Sequence, residues 1–260
     1  MPYTEKYQPQ SLGQCLYPDQ ATEAIIKDFA ANATAASLIL YGPMGTGKSL
    51  MAKLIADELH SSRSATLETF QGALLRTPSK VEAVIDQLER WHRSRNRFAS
   101  RRLYIIEEFD RVHYESQLGF GHLMTTTDVQ FIMTTNNVDN IDDRILSRAR
   151  PCHISGATQQ DMLKLAQHVV TSEGITATQA ELEKLTVLSA GNVRDLMHDL
   201  EALVLDKRRQ AVQTVASQVT LPSGVTAAMA QSGPTAASIH NVVPAVSLIP
   251  PNMPVGQPTP

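Results

Sequence analysis

The chain has very little cysteine: two residues in 260, Cys15 and Cys152, far apart. That excludes a disulfide framework and fits no metal-ligand spacing. Two isolated thiols are expected to be buried in a reducing compartment. A dominant charge is also missing. The 23 Lys and Arg stand against 26 Asp and Glu, a net charge of −3. Such a balance gives no global pull towards nucleic acid, so any such contact needs a local patch. No apolar run reaches the roughly 18 residues of a membrane span, and Met1–Lys6 is polar, unlike a signal peptide. No membrane partner is expected, and the chain reads as cytoplasmic. No repeat of fixed period is present. The last absence is local. Residues 211–260 hold no Lys, Arg, Asp or Glu, yet eight of the 14 prolines. A segment of that composition is not expected to build its own core, so 211–260 reads as an uncharged, disordered tail. Within it, Ala211–Ala216 is expected to prolong the preceding helix. Val242–Pro250 is apolar enough to dock a partner; a flexible tail with no partner is the alternative.

What is present begins with Gly42-Pro43-Met44-Gly45-Thr46-Gly47-Lys48-Ser49. It fits the phosphate-loop pattern of Gly, four residues, Gly-Lys-Ser/Thr. The apolar run Ser37–Tyr41 before it predicts a buried strand. After it, Leu50, Leu54, Ile55 and Leu59 recur at helical spacing. Strand, Gly-rich turn and helix N-terminus together make an anion site: backbone N–H groups turn inward and the helix dipole favours negative charge. Lys48 is then expected to reach the β- and γ-phosphates, and Ser49 to hold Mg²⁺.

Around this unit the chain alternates. Ala21–Ala33 predicts a helix after an irregular, proline-broken lead-in over 1–20. Ala65–Phe70 predicts a second strand, and Thr77-Pro78-Ser79-Lys80 a helix start carrying Val81, Val84, Ile85, Leu88 and Trp91. Arg90, Arg93, Arg95, Arg97, Arg101 and Arg102 then form a basic cluster. It is either a solvated helix end or a sequence-independent phosphate-backbone contact. Leu103–Ile106 predicts a third strand, ending in Glu107-Glu108-Phe109-Asp110. Acidic groups at such a strand end are placed for Mg²⁺ and an attacking water. Leu118, Phe120, Leu123 and Met124 suit a short helix. Val129–Met133 predicts a fourth strand ending in Thr134-Thr135-Asn136-Asn137, where an amide faces the γ-phosphate or the water, or simply marks a turn. Cys152–Ile154 predicts the last strand. From Thr158 three helical stripes follow: Met162, Leu163, Ala166, Val169 and Val170; then Ala180, Leu182, Leu185 and Leu188; then Val193, Leu196, Met197, Leu200, Leu203 and Val204. Strands alternating with helices predict a parallel sheet, followed by a small helical bundle.

Six motifs in this order resemble the AAA+ ATPases, and within them the clamp-loader group of replication factor C small subunits and their phage and archaeal equivalents. The likeness covers about residues 4–205. Glu5-Lys6-Tyr7-Gln8-Pro9 is similar to that group's adenine-side lead-in, Gly42–Ser49 to Walker A, and Glu107–Asp110 to Walker B. Asn136 is similar to the sensor-1 residue. Ser147-Arg148-Ala149 is similar to the motif carrying the trans-acting finger, and Ser189–Arg194 to the lid motif with its sensor-2 arginine.

The resemblance implies an α/β fold: a P-loop AAA+ domain over 1–155 with a parallel five-stranded sheet flanked by helices, then a helical lid over 156–210. It implies ATP and Mg²⁺ as cofactors. Nucleotide contacts are implied for Tyr7, Pro9, Gly42, Pro43, Met44, Gly45, Thr46, Gly47, Lys48, Ser49, Leu50, Asn136 and Arg194. Metal contacts are implied for Ser49 and Glu107, and catalytic roles for Glu108, Lys48, Asn136, Arg194 and, across a subunit interface, Arg148. The implied partners are like or related AAA+ subunits in a ring or partial ring, DNA through the Lys80–Arg102 region, and a sliding clamp; a replication role implies a nucleoid-associated or nuclear location. Gln8 stands where the group has Arg, and Glu107 where it has Asp. The uncharged tail stands where the group has a helical collar. An ATP-driven remodelling factor that loads no clamp, and a non-hydrolysing nucleotide-bound scaffold, are the alternatives.

Overall fold

The structure is a computed structural model that describes residues 1–31, 33–62, 66–93, 102–125 and 129–218. Arg95, Arg97, Arg101 and the tail from 219 on, with its Val242–Pro250 stretch, lie outside the described residues. Five parallel strands form one sheet: β1 Ser37–Tyr41, β2 Thr66–Gln71, β3 Arg102–Glu107, β4 Val129–Thr135 and β5 Ala149–His153. Their spatial order is β2-β3-β4-β1-β5. Parallel neighbours need crossovers, and helices supply them: α3 Lys48–Ser62, α4 Pro78–Arg93, α5 Gln117–Leu123 and α6 Asp143–Leu146, while α2 Gln20–Ala30 precedes β1.

Both faces of this sheet are covered, and strand alternation decides which residue serves which face. Leu38, Leu40, Leu103, Ile105 and Ile132 point to one side, where Ile26 and Phe29 of α2 and Ala52 and Ile55 of α3 close over them. Ile39, Tyr104, Ile106, Phe131 and Met133 point to the other, against Val81 and Leu88 of α4, Phe120 and Leu123 of α5, and Ile145 of α6. Trp91 belongs to this second cluster and stacks on Tyr104 at 6.4 Å between ring centroids. Cys15 and Cys152 are both free and buried, and burial pushes each thiol up to about 11.

Beyond the sheet, α7 Gln159–Ser172, α8 Gln179–Ser189 and α9 Val193–Gln218 pack around a core of their own. Thr158 caps α7, and Thr178 with Glu181 forms a complete capping box on α8, satisfying N–H groups the helices leave open. The extension over 211–216 is present, since α9 runs on to Gln218. The stripe expected on α8 is only half right. Leu182 is buried, but Leu188 is 66% exposed and Ala180 is exposed; Thr186 and Ser189 take the inward positions. Thr186 and Ser189 donate their hydroxyls to the carbonyls of Glu183 and Leu185 within α8, so these polar groups enter without an open donor.

The lead-in departs most from expectation. It holds a short helix, α1 Tyr3–Lys6, and a 3-10 turn at Leu12–Gln14. Tyr3 is buried in the core of α7–α9 rather than against the sheet. The Glu173 carboxylate, 5% exposed, fixes this arrangement. It accepts from Lys6 Nζ at 2.5 Å, Tyr7 Oη at 2.7 Å and Arg208 Nη2 at 2.8 Å. Lys6 first, then Tyr7 and Tyr3, hold the Glu173 carboxyl down at about 2, while burial and the same carboxylate push the Tyr3 hydroxyl up to about 12. Tyr3 and Tyr7 therefore pack with the helical bundle. Propensity does not predict so short a helix; tertiary burial of Tyr3 makes it.

Candidate functional site

The C-terminal ends of β1, β3 and β4 meet in one cleft, where parallel α/β sheets place their ligands. Met44, Gly45, Gly47, Lys48, Ser49, Leu50, Glu108, Thr134, Thr135, Asn136 and Arg194 line it. Its volume is about 600 Å³ including the open mouth. Gly42, Gly45 and Gly47 all have positive φ, so the loop between β1 and α3 curls as L side chains rarely allow. At Gly45 an added Cβ would lie 1.9 Å from Asn192 Oδ1, on the turn leading into α9, and would displace that side chain.

Lys48 is buried at 7% exposure, and its ammonium donates to the carbonyls of Gly42 (2.8 Å) and Pro43 (2.5 Å). Burial lowers its pKa to about 8; the Asp110 charge opposes this and Arg194 adds to it. Ser49 opens the first turn of α3, where the dipole favours anions. Asn192 caps α9: its Oδ1 accepts from the N–H of Arg194 and of Asp195. That cap fixes the first turn of α9 and aims Arg194 across at the loop.

Glu108 sits just past β3 with φ 55° and ψ 50°, a left-handed conformation that costs a non-glycine residue about 1–3 kcal/mol and clusters at functional sites. Its N–H donates to Thr134 Oγ1 at 3.2 Å, and its carboxylate pairs with Arg111 Nε at 3.2 Å. Glu107 faces the other way. Its Oε2 accepts from Gln71 Nε2 at 2.6 Å, and Oε1 lies 3.5 Å from Lys53 Nζ without a hydrogen-bond partner. The two asparagines after β4 divide the roles left open by the sequence. Asn136 reaches the cleft wall, while the Asn137 side chain accepts from the N–H of Asp139 and builds the turn.

Of the expected site residues, the cleft gathers Met44, Gly45, Gly47, Lys48, Ser49, Leu50, Glu108, Asn136 and Arg194. Gly42, Pro43 and Thr46 stand behind the wall, where Thr46 Oγ1 braces the loop on the Pro43 carbonyl. Tyr7 and Pro9 are not in the wall, and the Tyr7 hydroxyl is committed to Glu173. Arg148 is exposed and donates to the Arg144 carbonyl, away from this cleft. The missed residues are Thr134, Thr135 and Asn192. Thr134 and Thr135 were legible only as strand end, and Asn192 as a motif position without a role. The described part of α4 is of mixed sign, with Lys80 and Arg90 exposed beside Glu82 and Asp86.

Residues 38–154 match the profile of the ATPase family associated with various cellular activities (AAA). Over 222 residues the chain is 25% identical to replication factor C small subunit 1 of Pyrobaculum arsenaticum, covering 84% of this chain and 66% of that one. Over 38–154 the chain is thus similar to the AAA ATPases, and over most of its described length to clamp-loader subunits. It is also 24% identical to DNA polymerase III subunit gamma of Buchnera aphidicola, covering 84% of this chain and 65% of that one. The match thus spans just under two thirds of these relatives' length. Among solved structures, the Thermotoga maritima RuvB Holliday junction branch migration motor superposes with a TM-score of 0.60 at 16% identity, covering 81% of this chain and 67% of that one. That likeness concerns the fold alone. Among the described residues no helix is long and apolar enough to cross a membrane.

Proposed function

We propose that the chain binds ATP in this cleft and hydrolyses it as a clamp-loader-like subunit in DNA replication or repair. The observation that carries the reading is the convergence of Lys48, Ser49, Glu108, Asn136 and Arg194 on one wall from four separate segments. The loop N–H groups and Lys48 take the phosphates. Glu108 draws the proton from the attacking water, Asn136 orients that water, and Arg194 reads the γ-phosphate from the helical bundle. Mg²⁺, when bound, neutralises phosphate charge. Ser49 lines the cleft at the head of α3, while the Glu107 carboxylate, one residue before Glu108, is paired with Gln71 and Lys53. Ser49 would hold the Mg²⁺, and Glu107 would support it from behind on release from Lys53.

Arg148, exposed and turned from its own cleft, is free in position to complete the site of a neighbouring AAA+ subunit; such fingers are worth roughly 10³–10⁵ in rate. A sliding clamp and DNA, reached through the Lys80–Arg102 region, are the proposed clients. The test is phosphate release by the full chain with and without primed DNA and a clamp. Stimulation by both, lost in Arg148→Ala, is expected. Turnover indifferent to DNA and clamp would favour a remodelling ATPase with another client, and no multiple-turnover release at all would leave a nucleotide-bound scaffold.

A further inference from the structure

Glu108 is held in an unusual way. Its backbone is left-handed at a residue that carries a side chain. Free of restraint, a glutamate at the end of a strand relaxes to an extended or right-handed conformation, and its carboxylate then points elsewhere. Two neighbours oppose that. Thr134, on the adjacent strand β4 and 2% exposed, accepts the Glu108 N–H on Oγ1 at 3.2 Å. On the other side the turn at Gly72 leaves no room: a Cβ there would lie 2.2 Å from the Glu108 carbonyl oxygen. The hydroxyl fixes the N–H end of the peptide unit and Gly72 admits the carbonyl end. Thr134 is one of the cleft-wall residues, so the clamp and the group it clamps share one surface.

We infer that Thr134 is a positioning residue, its hydroxyl holding Glu108 in the left-handed turn that presents the carboxylate to the cleft. The inference rests on the proposed hydrolysis, in which Glu108 handles the attacking water. A hydroxyl is required because, among the described residues, the Glu108 N–H donates to the Thr134 oxygen. The Thr134 methyl is dispensable for this role. Valine keeps the shape and removes the acceptor; serine keeps the acceptor and removes the methyl.

Thr134→Val and Thr134→Ser are compared with the unaltered full chain. The readouts are kcat and KM for ATP, affinity for a fluorescent ADP analogue, and amide exchange across the peptide containing residues 107–110. Thr134→Val is expected to lower kcat about 10–100-fold, in line with the effect of misplacing a reacting group by about 1 Å. Analogue affinity should stay within about twofold, and exchange over 107–110 should quicken. Thr134→Ser should return kcat to within about threefold of the parent. In a Glu108→Gln background the valine should cost nothing further, because residues acting as one unit do not add. An unchanged kcat in Thr134→Val, a serine variant as slow as the valine, or full additivity with Glu108→Gln overturns the inference. If the parent chain shows no turnover, the hydrolytic reading fails instead. The exchange experiment then decides the clamp alone: faster exchange supports it and unchanged exchange refutes it.

Discussion

The sheet edge and the three-helix bundle bring polar groups together by opposite means. At the sheet edge, each site residue follows directly on a strand or opens a helix, so pairing register alone delivers it. Ile106 lies opposite Met133 in the β3–β4 ladder, which sets Glu108 two residues past one strand position beside Thr134 on the other. In the bundle, one carboxylate does the gathering. Glu173 collects Lys6, Tyr7 and Arg208, partners 35 to 167 residues away in sequence. The first region is fixed by backbone ladders and is hard to displace. The second is fixed by side-chain hydrogen bonds onto one charge and is open to loosening. A rigid phosphate cradle facing a bundle tied by one such knot is a suitable arrangement for a switch.

The comparison can be broken from either end. The largest expected effect is on chemistry: Arg148→Ala should reduce turnover by roughly 10³-fold in the assembled protein while nucleotide affinity holds, read by phosphate release over a protein dilution series. Next, Glu108→Gln should lower kcat at least about 100-fold, the lower end of general acid–base effects, again with affinity preserved. Loss of affinity instead would mean that the cradle depends on Glu108 for its shape.

On the bundle side, Leu182→Ala should destabilise by about 2–5 kcal/mol, whereas Leu188→Ser should stay within about 0.5 kcal/mol, both by thermal melting. Glu173→Ala should lower the melting temperature by about 4–8 °C, equivalent to roughly 2 kcal/mol in a unit of this size. The Glu173 carboxyl is held below its ordinary value of 4.5, at about 2. Its contribution is therefore complete above about 4.5 and is lost as pH falls towards 2. The acid slope over that window should flatten in Glu173→Ala.

The central strands were legible because they are continuous apolar runs next to glycine-rich or acidic punctuation, as at Leu38–Leu40 before Gly42 and Leu103–Ile106 before Glu107; β5, expected at Cys152–Ile154, starts earlier, at Ala149, because Arg150 and Pro151 hide its first half. The cleft was legible for the same reason, since its residues sit at fixed offsets from those runs. The lead-in was not. Nothing local marks Tyr3–Lys6 as helix, and its destination depends on Glu173 and on a bundle that comes more than 150 residues later. The inward face of α8 was misread because Thr186 and Ser189 satisfy their hydroxyls on the preceding turn and so pass as apolar, leaving Leu188 outside. Thr134 was seen only as part of a strand end, because its partner is a backbone N–H in the turn after another strand, which no sequence pattern records.

The measurement closest to the central claim is nucleotide affinity against pH for the full chain and for Lys48→Ala. Lys48 is the buried cation of the loop, with burial lowering its pKa to about 8. The parent should bind ATP, and its affinity should fall as pH rises through about 8, where the free protein loses that charge. Lys48→Ala should bind at least about 100-fold more weakly, with no such dependence, in line with loss of a charge-assisted contact in a desolvated site. Equal affinity of the two proteins across that range would contradict the account.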